Sequence, residues 1–169
     1  AELLRLIAPR SGESIADVGC GRGTWTFHLA QAVGPGGRVT AVDVDARSLE
    51  AVRERLTRES WGQVQVLRSL PDDPGLEANG YDAVLLNDVI DHVERAALAG
   101  FLAGIRAALK GDGRLVIRDP NGGADRVIAR YAFLRPPTRP WELDTAREAD
   151  AALVAEAVGI AAEVRADVE

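Results

Sequence analysis

The sequence predicts an open, doubly wound α/β sheet, mostly parallel, with helices on both faces. Three observations carry that expectation. Short β-branched runs alternate along the chain with longer stretches of helical periodicity. The runs end in polar or Gly-rich turns, as strands of a parallel sheet do where they hand over to a helix. The 169 residues, 47% of them apolar, suffice for one core without disulfide staples, so residues 1–169 are expected to form a single domain. Strands that alternate with helices require right-handed crossovers, and these bury a parallel sheet on both faces.

The strands are expected at Ser14 to Val18, Arg38 to Val42, Val64 to Leu67, Ala83 to Leu86 and Arg114 to Ile117. The helical TWTFHLAQAV follows the first strand. Leu49, Val52 and Leu56 share one face of the next helix, and Leu98, Phe101, Leu102, Ile105 and Leu109 one face of another. Lys110-Gly111-Asp112-Gly113 is expected to end that helix with a glycine in the left-handed C-terminal position. Gly34-Pro35-Gly36-Gly37, Pro71-Asp72-Asp73-Pro74-Gly75 and Asp119-Pro120-Asn121-Gly122-Gly123 read as turns.

Beyond them lies the least regular stretch, Pro120 to Asp144, read as a lid. Its first half is expected to hold a short helix, Ala124 to Phe133, before prolines forbid more. A helix over Thr145 to Val158 and a weak strand over Ala161 to Val168 complete the expectation. No last antiparallel strand is expected, which would leave an edge for a partner chain, as in a homodimer, to cover.

Lys plus Arg total 20 against 26 Asp plus Glu, a formal charge of −6, which disfavours nucleic acid as a partner. No apolar run approaches the roughly 20 residues that cross a bilayer. The opening AELLRLIAPRSGES lacks the basic start and long apolar stretch of a signal peptide. A single cysteine, Cys20, excludes an intrachain disulfide and suits a reducing compartment, so a cytoplasmic location is expected. The chain contains no Met and starts at Ala1, which fits a trimmed chain.

Chemistry concentrates where the first strand runs into Asp17-Val18-Gly19-Cys20-Gly21-Arg22-Gly23-Thr24 and the helix behind it. Glycine is needed where a Cβ would block a tight turn or a ligand's approach to the backbone. The helix N-terminus offers free N–H groups to a negatively polarised atom. The spacing is G-x-G-x-G, with Thr24 where the dinucleotide fingerprint demands its third glycine, and this disfavours a nicotinamide-dependent oxidoreductase. A second acid, Asp43, ends the next strand, where a carboxylate can accept both hydroxyls of an adenosine ribose.

These residues resemble the class I S-adenosylmethionine-dependent methyltransferases, a Rossmann-like family, from about Leu4 to Val168. Leu6 to Gly23 looks like the family's lead-in and first motif, and Asp43 like its ribose-binding acid. Ser69-Leu70-Pro71 lies where the third strand's end usually contacts adenine. Tyr81 to Asn87 looks like the fourth motif, and Leu109 to Ile117 like the passage into the fifth strand. The resemblance implies S-adenosylmethionine as cofactor, S-adenosylhomocysteine as product, and a small-molecule acceptor methylated at oxygen, nitrogen or carbon. Gly19 and Gly21 would let the backbone approach the methionine part, with Cys20 as a small filler in the loop and Gly23 completing the cofactor-binding set. Asp17 would orient that loop or reach the amino group, and Asp43 would hold the ribose. Val44 and Leu70, beside Ser69, would sandwich the adenine, and Asn87 would contact the methionine end.

Transfer from a sulfonium needs an in-line nucleophile held in place, and a base only if the acceptor loses a proton. His92 is the candidate base, against the alternative that Asp91-His92 caps the following helix. Asp88, Asp119 and Asn121 end adjacent strands and offer oxygen to Mg²⁺, but such residues are also ordinary turn formers, and no metal is expected. Asn87-Asp88-Val89-Ile90 is not the Pro-Pro-aromatic sequence of base or amide methylation. Tyr131, Phe133 and Trp141 could line an acceptor pocket, and Arg126, Arg130, Arg135 and Arg139 could attract an anionic acceptor, unless the stretch is a solvated linker. His28, Trp25 and Trp61 read as packing residues. A non-catalytic cofactor-binding or scaffold domain is the alternative function.

Overall fold

β-Branched and aliphatic runs buried on both faces build the centre of the molecule, described for residues 2–94, 96–118 and 127–132 in a computed structural model. The elements run α1 (Glu2–Ile7), β1 (Ser14–Val18), α2 (Thr24–Val33), β2 (Arg38–Asp43), α3 (Ala46–Arg58), β3 (Val64–Arg68), β4 (Tyr81–Asn87), α4 (Leu98–Ala108), β5 (Leu109–Arg118) and β6 (Val127–Ala132). A short 3-10 helix, Ile90–His92, comes after β4.

The sheet order is β3-β2-β1-β4-β5-β6, with the first five strands parallel. The order reverses between β1 and β4, and such a switch point opens a crevice at the strands' C-terminal ends. Alternation along each strand sends side chains to two cores. Val84 and Leu86 of β4, with Leu115 and Ile117 of β5, pack on Leu98, Phe101, Leu102 and Ile105 of α4. Ala83, Leu85 and Val116 face the other way, with Ile15 and Val39, onto Leu3 and Ile7 of α1 and Leu29, Ala30 and Val33 of α2. Leu49 and Val52 of α3 close over Ala41, Cys20 and Phe27. The α3 N-terminus is capped by Asp45, whose carboxylate accepts from the Arg47 and Ser48 N–H groups.

The strand end away from the switch point is tied by buried charge. Arg114 donates to both Glu13 carboxylate oxygens, at 2.9 and 2.7 Å, and to the Ile7 carbonyl at 2.9 Å. Burial is the largest influence on Glu13 and opposes its ionisation, but the Arg114 hydrogen bonds, the Arg10 N–H and the Arg114 charge together outweigh it and hold the carboxyl below its ordinary range.

Three expectations need correction. α4 ends at Ala108, and neither Gly111 nor Gly113 is left-handed. The Asn79 and Gly80 N–H groups instead take the Ala107 and Ala108 carbonyls, so the helix end is satisfied by the loop before β4, and Leu109 already begins β5. The helix expected over Ala124 to Phe133 is wrong where the chain is described: Val127–Ala132 is a strand. It pairs antiparallel with β5, Leu115 opposite Tyr131, so the expected lack of an antiparallel strand is also wrong. The physical reason is the unpaired β5 ladder, which a segment opening on Val127 and Ile128 satisfies. Six residues of the proposed lid thus belong to the sheet; the rest of it, the helix over Thr145 to Val158 and the strand over Ala161 to Val168 lie outside the described residues.

Candidate functional site

The loop leaving β1 is shaped by glycine. Its first two amides, Gly19 and Cys20, both donate to the Val42 carbonyl, at 2.8 and 2.9 Å, which bends the chain across the end of β2. Gly19 holds φ 72°, and a Cβ there would overlap Val89 Cγ2. Gly23, at φ 86°, is the α2 cap and provides no side chain to the helix N-terminus, so no capping side chain competes for its first N–H groups.

Beneath the loop Asp17 is 1% exposed and accepts a 2.6 Å hydrogen bond from Thr26 Oγ1. Burial pushes its carboxyl up to about 6, against the Thr26 hydrogen bond and with help from the Asp43 charge. Cys20 is buried with Phe27 and Ala41, away from the crevice. Burial, then the charges of Asp17 and Asp43, push its thiol far above the ordinary range, which removes the thiolate a nucleophile would need.

At the end of β2, Asp43 Oδ2 accepts the Gly21 N–H and Oδ1 the Asp45 N–H, both at 2.8 Å. These bonds fix the plane of the carboxylate and leave each oxygen a further lone pair. The Asp43 carbonyl in turn accepts the Ser69 N–H at 3.0 Å, placing the β3 loop beside it.

A cavity of about 210 Å³ opens over these strand ends. Val18, Gly19, Asp43, Val44, Ser69, Leu70 and Pro71 line one part of it. Val44 and Leu70 are 47% and 63% exposed, the large apolar side chains left open among the described residues. Two exposed apolar side chains in one crevice mark a binding surface for an apolar or flat group. The other part is built by Asp88, Val89, His92 and Val93 after β4, and by Phe101 of α4. Asp88 turns the chain out of the sheet at φ 59°, a conformation that Asp tolerates better than most residues.

Six of the anticipated residues, Gly19, Asp43, Val44, Ser69, Leu70 and His92, meet in this one cavity. Asp17, Cys20, Gly21, Gly23 and Asn87 do not line it; Gly21 joins through its N–H to Asp43, and Asn87 Oδ1 accepts from Arg118 at 2.9 Å. The capping role weighed for His92 is corrected: α4 starts at Leu98 behind Ala97, with no side-chain cap, while His92 ends the 3-10 helix at the cavity wall. Val18, Val89, Val93 and Phe101 were not anticipated; Phe101 carried only the periodicity of a core helix face. Of the weighed metal ligands, Asp88 is on the wall, while Asp119 and Asn121 lie outside the described residues. Trp25 and Trp61 pack against the cores, as expected, and His28 lies against the Trp25 ring.

Residues 16–115 match the family described as Methyltransferase domain. Nocamycin O-methyltransferase of Saccharothrix syringae is 34% identical over 122 residues, 70% of this chain and 41% of that protein. Aklanonic acid methyltransferase DauC of a Streptomyces species is 28% identical over 138 residues, 82% of this chain and 60% of that protein. The chain thus spans less than two thirds of the length of these curated relatives. A SAM-dependent methyltransferase from Aquifex aeolicus shares the fold, with a TM-score of 0.71 at 22% identity over 94% of this chain and 77% of that one. Geranyl diphosphate methyltransferase in complex with SAM shares it with a TM-score of 0.62 at 23% identity, over 73% and 50% of the two chains. The glycine loop, the acid that ends β2 and the matched family agree, and the chain belongs to the S-adenosylmethionine-dependent methyltransferase domain family, class I.

Proposed function

We propose that this chain is the cofactor-binding core of an enzyme that transfers a methyl group from S-adenosylmethionine to a small-molecule acceptor by in-line displacement. One observation carries the reading: Gly19 of the glycine loop, a carboxylate with lone pairs to spare and two exposed apolar side chains meet in one cavity at the switch point. That set fits the three parts of the cofactor. The loop at Gly19 and Gly21, steadied by Asp17, would hold the methionine end; Asp43 would accept the ribose hydroxyls; Val44, Leu70 and Ser69 would flank the adenine. When bound, the cofactor would supply a sulfonium methyl carbon for the acceptor's nucleophile to attack, with S-adenosylhomocysteine leaving as the S–CH3 bond breaks.

The chain's own residues have three tasks in that reaction. The first is to orient, which the Asp43 bonds to the Gly21 and Asp45 amides support. The second is to exclude water, for which Val89, Val93 and Phe101 give an apolar wall. The third arises with a hydroxyl acceptor, whose proton His92 would take. Relatives named for nocamycin and aklanonic acid, and the neighbour named for geranyl diphosphate, support a small-molecule acceptor. An anionic acceptor is part of the proposal; the described cavity wall carries no Lys or Arg, so its counter-charge would have to come from outside that wall. Among the described residues no helix is long and apolar enough to cross a membrane; a cytoplasmic setting is part of the proposal, supported by the single free Cys20.

Calorimetric titration of Asp43→Ala tests the placement. Losing a hydrogen-bonded charged partner is expected to weaken S-adenosylhomocysteine binding about tenfold or more. Affinity unchanged in a folded variant would remove Asp43 from the site, and the ribose with it.

A further inference from the structure

We infer that Arg118, at the end of β5, is a positioning residue that sets the cavity wall after β4; this rests on the cofactor-binding reading above. Arg118 does not itself line the cavity. It grips the chain at two successive residues. Its guanidinium donates to Asn87 Oδ1 at 2.9 Å, and its carbonyl accepts the Asp88 N–H at 2.8 Å. Asp88 is where the backbone turns left-handed out of the sheet. The side-chain bond to Asn87 and the main-chain bond from the Asp88 N–H both hold the chain as it enters that turn, and so fix the point and direction from which it leaves the sheet.

Beyond the turn the chain becomes cavity wall. Asp88, Val89, His92 and Val93 supply four of the twelve lining residues. Val89 lies so close over Gly19 that a Cβ there would overlap it, so the turn and the glycine loop share one packing arrangement. The 3-10 helix, closed by the His92 N–H on the Val89 carbonyl at 2.9 Å, carries any rotation of the turn on to His92.

A second feature converges on the same residue. Between Ile117 and Arg118 the β5–β6 pairing slips: Ile117 is opposite Ala129, but Arg118 is opposite Val127. Bulges of this kind re-aim side chains and recur beside active sites. Here the irregularity falls where the Arg118 side chain must lean from its own strand onto β4. Asn87 therefore acts as the acceptor through which Arg118 works.

A double-mutant cycle over Arg118→Ala and Asn87→Ala tests this, read as S-adenosylhomocysteine affinity by calorimetry. Each single variant is expected to weaken binding about fivefold or more, and the pair by clearly less than the product of the two losses, because both break the Arg118–Asn87 link. Arg118→Lys, which can still donate to Asn87, is expected to recover most of the loss. Glu13→Gln, which weakens the buried pair with Arg114 at the opposite strand end, is the stability control and is expected to lower the melting temperature without moving affinity. Additive losses, or affinity falling only as stability falls across all five variants, would overturn the assignment. If Arg118→Ala does not fold, Arg118→Gln enters the cycle in its place. Wild-type protein that fails to bind S-adenosylhomocysteine at all would defeat the cofactor reading itself; wild type that binds, with Arg118 variants equal to it, would defeat only this inference.

Discussion

Gly19 and Gly21 are both left-handed, at φ 72° and 53°, yet replacing each by alanine has different consequences. At either site an L side chain in that region costs about 1–2 kcal/mol. At Gly21 nothing lies within 4 Å of the new Cβ, so the backbone term is the whole stability cost. At Gly19 the Cβ would overlap Val89 Cγ2, and Val89 has to move or the loop has to lift. Overpacking of that kind adds about 1–3 kcal/mol, which brings Gly19→Ala to about 2–5 kcal/mol. For a chain of this size that is a fall in melting temperature of about 4–20 °C, against about 2–8 °C for Gly21→Ala. Because Val89 is cavity wall, Gly19→Ala is also expected to weaken S-adenosylhomocysteine binding about tenfold, the equivalent of about 1.4 kcal/mol. Differential scanning fluorimetry and calorimetric titration read the two effects. Equal melting temperatures for the two variants would refute the packing of Gly19 against Val89.

The same geometry sets further outcomes. Leu70→Ala removes an exposed side chain, so its melting temperature is expected to stay within about 1 °C of wild type. Its S-adenosylhomocysteine affinity is expected to fall about three- to tenfold in calorimetry. Asp17 titrates near 3.8 in the unfolded chain and about 6 when folded, so the folded state binds more protons between those values. Its contribution therefore lowers stability as pH rises from about 4 to about 6, by about 3 kcal/mol in all, and stays flat above. Denaturant titrations at pH 4.5 and 7.5 are expected to show Asp17→Asn gaining on wild type at the higher pH; a constant difference would contradict the buried, raised carboxyl. Cys20 is expected to resist alkylation at pH 8 in the native protein and react once denaturant opens the core, read by mass spectrometry.

Much of this site was legible because local chemistry and fold agree at it. The first strand, the G-x-G-x-G loop and helix Thr24–Val33 lie where periodicity and turn residues put them, and Asp43 comes to the same loop through its bond to the Gly21 N–H. What escaped depended on partners far away in sequence. The α4 end is satisfied by Asn79 and Gly80 rather than by its own glycines, which no helix-stop rule inspects. Val127–Ala132 is a strand because β5 offers it a ladder, while its own pattern reads as a short helix. Asn87 carried the family's look of a ligand contact, yet its acceptor oxygen is engaged by a residue on the neighbouring strand, a link visible only in three dimensions.

Amide hydrogen exchange of the wild-type chain, with and without S-adenosylhomocysteine, tests most directly whether the cofactor sits in the crevice over β1 and β2. Slowed exchange is expected at Gly19 to Gly23, at Val44 and Asp45, at Ser69 and Leu70, and from Asp88 to Val93, with the Glu13–Arg114 end of the sheet unchanged. Binding that leaves the amides at 19–23 and 44–45 unprotected would contradict that placement, because the ligand would then occupy some other surface.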